Sequence, residues 1–189
     1  MMADNTSQIE LSIELDNEDD EQALKHLLSS LPLEAVVVQT LSQAGIERPI
    51  VVALLITNDV TIQSLNKHYR NQDKSTDVLS FPLLEKPIVH APVDQLWMKP
   101  ELLEGVDFQT QQAFITPPDI TTHLGDIVIS WPTVQRQSSE VGHNPVYELL
   151  FLLSHGILHL VGYDDQTEAG YQAMIRLQQA VMEATGQKI

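Results

Sequence analysis

The chain has 189 residues, the size of one domain whose core needs no disulfide to hold it. With 43% apolar and 19% charged residues its composition is globular, and no apolar run approaches the length that crosses a bilayer. There are no cysteines, which removes disulfide scaffolds, thiolate metal clusters and a cysteine nucleophile together. The net charge of −16 argues against general affinity for nucleic acid, since phosphate contacts need Lys and Arg. Half of that excess lies in residues 1–24, which hold eight acids and no base. No secretory pattern is visible at the N-terminus, so the expectation is a cytoplasmic protein that neither spans nor binds a membrane.

Residues 1–8 read as an acidic leader. Residues 9–15 alternate apolar and polar side chains, the pattern of a half-buried strand. Residues 17–21 read as an acidic turn, and 22–44 as helix in two pieces, divided near Pro32 and stopped by Gly45. Residues 50–57 are β-branched and apolar throughout, a buried strand. Asp59 is a candidate cap for a helix over 60–71. Within 66–75 the chain carries a local basic cluster, Lys67, Arg70 and Lys74 against Asp73. A short strand over 77–82 ends at Pro82.

Residues 84–122 lack periodicity and hold five of the ten prolines, so they read as a long loop or insertion. A strand over 124–130 and a helix to about Val141 follow. Asn144 and Pro145 form a strong helix start. The helix to Val161 has almost no polar face and must be a core helix, stopped by Gly162. A last amphipathic helix over 167–184 offers Tyr171, Met174, Ile175, Leu177, Val181 and Met182 as its apolar stripe. The whole reads as one α/β domain over 9–184, with 185–189 as a tail.

Chemistry concentrates on the core helix. His155 and His159 lie four residues apart, one turn along a single face, where both imidazoles reach one ion. Asp165 follows after a turn and can supply a third donor. Two His and a carboxylate with one open position is a catalytic zinc pattern. The alternative is a separate hydrogen-bond partner for each buried imidazole. The general-base Glu of H-E-x-x-H peptidases is absent, because Gly156 stands in its place. That glycine costs about 1 kcal/mol in mid-helix relative to Ala, so close approach of substrate or tight helix packing must explain it.

The segment His155-Gly156-Ile157-Leu158-His159-Leu160-Val161-Gly162-Tyr163-Asp164 resembles the signature of the YbeY family of metal-dependent endoribonucleases and rRNA maturation factors. Residues 66–82, from Asn66-Lys67-His68-Tyr69-Arg70 through Ser75-Thr76-Asp77-Val78-Leu79-Ser80-Phe81-Pro82, resemble its central block. Residues 124–130 resemble its next strand. The three motifs occur in the family's order, and the resemblance covers about 9–84 and 122–184.

The resemblance implies a compact α/β (α+β) fold, a small four-stranded mixed sheet packed by helices, with one zinc ion on the core helix. It implies an endoribonuclease that acts on ribosomal RNA and the small ribosomal subunit, in 3′-end maturation and ribosome quality control. His155 and His159 match the first two metal ligands. Asp165 stands where the family has a third histidine. Arg70 matches an arginine that meets RNA phosphate and stabilises developing charge. Thr76, Asp77 and Ser80 are expected to line the groove beside it. Asp164 is placed to orient a ligand imidazole, and Asp126 to support the site. Two rivals stand beside this reading: a non-catalytic ribosome-assembly adaptor with an impaired metal site, and a zinc peptidase, weakened by Gly156.

Overall fold

A computed structural model describes residues 7–97 and 122–188. Residues 1–6 of the expected leader 1–8, most of the expected insertion (98–121) and the last residue of the tail lie outside that description, and Gln8 of the leader already belongs to the first strand. The described chain forms β1 (Gln8–Ile13), α1 (Glu18–Leu28), α2 (Leu33–Gln43), β2 (Ile50–Thr57), α3 (Asp59–Arg70), β3 (Val78–Pro82), β4 (Thr122–Ser130), α4 (Trp131–Val141), α5 (Pro145–Val161) and α6 (Glu168–Ala184). The sheet order is β1-β2-β4-β3; β1, β2 and β4 run parallel, and β3 is antiparallel to β4. This is the expected mixed four-stranded sheet packed by helices.

Local chemistry sets most boundaries. The acids at 18–21 are not a turn. The Asn17 side chain accepts the Asp20 N–H, and Glu18 to Glu21 form the first turn of α1. There their charge complements the positive helix end, which is why an acidic run extends the helix instead of ending it. The cap of α3 also differs from expectation. Asn58 accepts the Thr61 N–H, and Asp59 is free to bind elsewhere. It accepts hydrogen bonds from Ser130 Oγ, Thr133 Oγ1 and Arg136, joining the start of α3 to the β4–α4 junction.

α5 is the hub. Leu149, Leu150, Leu153, Ile157, Leu158, Leu160 and Val161 are fully buried, and α2, α4, α6, β3 and β4 pack around them. Gly156 is where α5 meets the sheet. A Cβ built there would sit 2.9 Å from both Cδ1 and Cγ2 of Ile127 on β4. Tight helix–sheet packing therefore explains this glycine, not access for a ligand.

The stretch expected as an insertion begins as ordered structure. The Ile88 N–H donates to the Val161 carbonyl and the Trp97 N–H to the Gly162 carbonyl, so residues 88–97 strap the C-terminal end of α5. A 3-10 turn at Val93–Gln95 and a bridge from Leu96 to Tyr163 complete the strap. This backbone pairing leaves no hydrophobic period to read. On α6, Tyr171 is not part of the buried stripe: it is 47% exposed, while Ala173, Met174, Gln178, Val181 and Met182 face inward. Among the described residues no helix is long and apolar enough to cross a membrane.

Candidate metal centre

α5 ends at Gly162, whose φ of 131° turns the chain back past the helix end. This reversal brings Asp165 to the two histidines one turn apart on α5. His155 Nε2 and His159 Nε2 are 3.0 Å apart, and Asp165 Oδ2 lies 3.7 Å from the first and 3.9 Å from the second. A point equidistant from these three atoms is about 2.1 Å from each, the bond length of zinc to nitrogen and oxygen.

The outer ring nitrogens define the protonation. His159 Nδ1 lies 3.0 Å from the Tyr163 carbonyl, which can only accept, so Nδ1 carries the proton. His155 Nδ1 lies 3.4 Å from Gln178 Oε1, whose own orientation is set because Gln178 Nε2 donates to the Phe151 carbonyl. In the neutral rings both inner Nε2 atoms therefore present lone pairs to each other and to a carboxylate oxygen. Three acceptors facing one point repel unless a cation sits among them. Burial, and next the charge of His155, hold the His159 pKa below the ordinary imidazole value, against the opposing pull of Asp165 and the Tyr163 carbonyl. A neutral imidazole is the form that ligates metal. The donor set fits a zinc-like ion.

His155 and Asp165 open onto a groove of about 580 Å³ between the β3–α4 side and α5–α6, whose walls include Asp77, Gln137, His143, Glu148, Phe151 and Tyr171. The expected groove residues divide. Asp77 lines it: the Val78 N–H and the Thr76 hydroxyl donate to its Oδ1, and Gln137 Nε2 donates to its Oδ2. Ser80 is buried in β3, only 7% exposed. Arg70 ends α3 on the surface, with no ion-pair partner among the described residues.

Two residues stand apart from their expected roles. Asp164 turns away: its carboxylate accepts the Gln166 N–H, and its own N–H donates to the Gln95 carbonyl. Orientation of His159 falls instead to the carbonyl of the preceding residue. Asp126 is on the other face of the sheet. Its neighbour Ile127 meets α5, and strand alternation turns Asp126 to a separate hollow with Glu10, Ser12, Tyr69 and Phe81. His143 is half-buried beside Glu148 and is no ligand.

Sequence reasoning missed Gln178 and Trp97. Gln178 is fully buried within the apolar stripe of α6, and a glutamine there needs partners, a signal that was present in the pattern. Trp97, whose Nε1 donates to the His159 carbonyl, had no such signal because it lies in an aperiodic stretch.

Known proteins resemble this chain over most of its length. The family model described as Endoribonuclease YbeY matches residues 14–186. Proteins named Endoribonuclease YbeY from Dehalococcoides mccartyi (strain BAV1), Roseiflexus sp. (strain RS-1) and Desulforamulus reducens are 37%, 35% and 38% identical to this chain. These matches cover 79%, 84% and 82% of the chain, and 83%, 85% and 84% of the respective relatives. The relatives' shared name marks a hydrolase, a nuclease, and the structure adds a candidate metal site on the core helix. The chain belongs to the YbeY endoribonuclease family.

Proposed function

We propose that this protein is a zinc-dependent endoribonuclease that matures the 3′ end of small-subunit ribosomal RNA in the cytoplasm and serves ribosome quality control. The observation that carries the metal is the convergence of His155 Nε2, His159 Nε2 and Asp165 Oδ2 as three proton-free acceptors. The relatives' shared name supports RNA as substrate. Bound zinc would polarise a phosphodiester oxygen and make a water acidic enough to attack.

The protein's own groups do the rest. His155 and His159 hold the ion as neutral rings, oriented by Gln178 and the Tyr163 carbonyl. Asp165 offers one oxygen and, being partly exposed, leaves a side open for substrate. Arg70 stabilises negative charge building on the phosphate. Asp77, braced by Thr76 and Gln137, forms the wall of the groove, with Ser80 behind it in β3.

Protein purified without added metal should contain about one zinc per chain. His155→Ala and His159→Ala should lose the metal and the cleavage of a small-subunit rRNA precursor together. The acid-lined groove favours a rival, a non-catalytic assembly adaptor; a metal-free native preparation would establish that rival instead. Arg70→Ala should slow cleavage while moving stability by no more than about 0.5 kcal/mol, as for other exposed residues. A large fall in its melting temperature would make Arg70 a structural residue.

A further inference from the structure

The two outer edges of the sheet are finished differently. On β3 the Asp77 carbonyl accepts the Ser130 N–H, so alternate residues from Asp77 turn their backbone groups toward β4, and Val78, Ser80 and Pro82 turn theirs outward. Pro82 has no N–H, and the Val78 N–H donates to the Asp77 carboxylate. Only the Ser80 N–H remains, which makes β3 a protected edge. On β1 the Glu14 N–H donates to the Ile56 carbonyl, so Gln8, Glu10 and Ser12 turn toward β2, and Ile9, Leu11 and Ile13 turn outward. Leu15, next in that outward row, donates to Glu21 Oε1. The N–H groups of Ile9, Leu11 and Ile13 meet no acceptor among the described residues. Nor does the strand contain Pro, Lys or Arg, the residues that commonly blunt an edge.

The side chains of β1 select one occupant. Leu11 shares a face with Ile9 and Ile13, which pack on the core, yet it is 39% exposed, so the helices leave the middle of this edge uncovered. Glu10 and Ser12 are exposed on the other face. Consider antiparallel pairing with β1 of a second copy, its two-fold axis at Leu11. Leu11 then meets Leu11, Ile9 meets Ile13, and each outward pair exchanges two hydrogen bonds. Glu10 meets Ser12 in the closer, non-hydrogen-bonded position. No two acids are opposed. Moving the axis to residue 10 opposes Glu10 to Glu10, and moving it to residue 12 opposes Glu10 to Glu14. Like charges directly opposite are destabilising, so charge picks the register centred on Leu11.

We propose that β1 is a self-association edge, through which two copies of this chain join their four-stranded sheets into one continuous sheet by antiparallel pairing centred on Leu11. The groove of the candidate metal centre is lined by Asp77 and Val78 at the opposite edge, so the pairing leaves both grooves open. The net charge of −16 on each chain opposes association at long range. Salt screens that repulsion and leaves the backbone pairing intact, so the dimer strengthens as ionic strength rises.

The test is sedimentation equilibrium of the full chain from micromolar to millimolar concentration, in about 0.1 M and about 1 M sodium chloride. The average mass should rise from one chain toward two with concentration, and at lower concentration in the higher salt. Ser12 is exposed and lies opposite Glu10 of the second copy at two symmetric positions. Ser12→Lys should therefore tighten the dimer about fivefold and Ser12→Glu weaken it about fivefold. Gln172→Lys, the same change of charge on the exposed side of α6, should have a much smaller effect. Leu11→Pro removes an outward N–H and none of the bonds to β2, and should leave a monomer; circular dichroism checks the fold of every variant. A native protein that stays one chain across the range in both salts overturns the inference. So does a dimer that ignores the sign of the charge at residue 12, one that responds equally to Gln172→Lys, or one that persists in folded Leu11→Pro.

Discussion

Asp165 is the residue on which the chemistry of the centre turns. It brings a negative charge where the family pattern has a neutral ring, and its carboxylate reaches the same point as the two imidazoles. Asp165→Ala should weaken zinc binding by more than the 10–100-fold, approximately, that loss of an outer partner costs. Asp165→His should retain zinc. Competition with a chromogenic chelator measures both, and unchanged affinity in the alanine variant would make Asp165 a turn residue only. Gln178 is the outer partner of His155, held in turn by the Phe151 carbonyl. Gln178→Leu removes that acceptor at similar volume and should cost about 10–100-fold in zinc affinity. His155, His159 and Asp165 were legible from spacing, because four residues make one helical turn and a glycine reverses the chain soon after. Gln178 acts from another helix, 23 residues away in sequence, and spacing on α5 says nothing of it.

At the scale of elements, the junctions carry the information that periodicity lacks. Asp59, at the first position of α3, ties that helix to Ser130, Thr133 and Arg136. Burial would raise its pKa, but the hydrogen bonds from Arg136, Ser130 and Thr133 prevail and lower it from 3.8 to about 2. The folded state therefore favours the ionised form. The stabilisation is present above about pH 4 and is lost as pH falls toward 2. Solvent screening at this partly exposed site reduces the contribution to about 1 kcal/mol. Asp59→Asn should be less stable than the native protein by about that amount at pH 7. The difference should vanish near pH 2, read from urea midpoints across the range. A difference independent of pH would assign the effect to packing.

The whole molecule joins the centre to the fold. The three candidate ligands come from α5 and from the turn that leads into α6, and residues 88–97 strap the same helix end. An ion bound there holds α5 and α6 together and stabilises only the folded chain. At a free zinc concentration a hundredfold above Kd the gain is about 2.7 kcal/mol. For a chain of this length that is an increase in Tm of about 5–10 °C. Chelation should reverse it, and His155→Ala should show no zinc-dependent change in Tm. A zinc response that persists in that variant would place the ion elsewhere.

The sequence by itself determined the helices, the central strands and the three candidate ligands. Each depends on contacts within a few residues: the Asn144 cap with Pro145 opens α5, Gly162 closes it, and a four-residue step sets His155 against His159. Tertiary structure alone decided the remainder. Ile127 explains Gly156, residues 88–97 at the start of the expected insertion strap Val161 and Gly162, and the opposite face of the sheet takes Asp126 away from the centre. Those outcomes depend on which surfaces meet. Local propensity describes one segment at a time, whereas the face a residue presents and the partner it finds are set by the packing of segments distant in the chain.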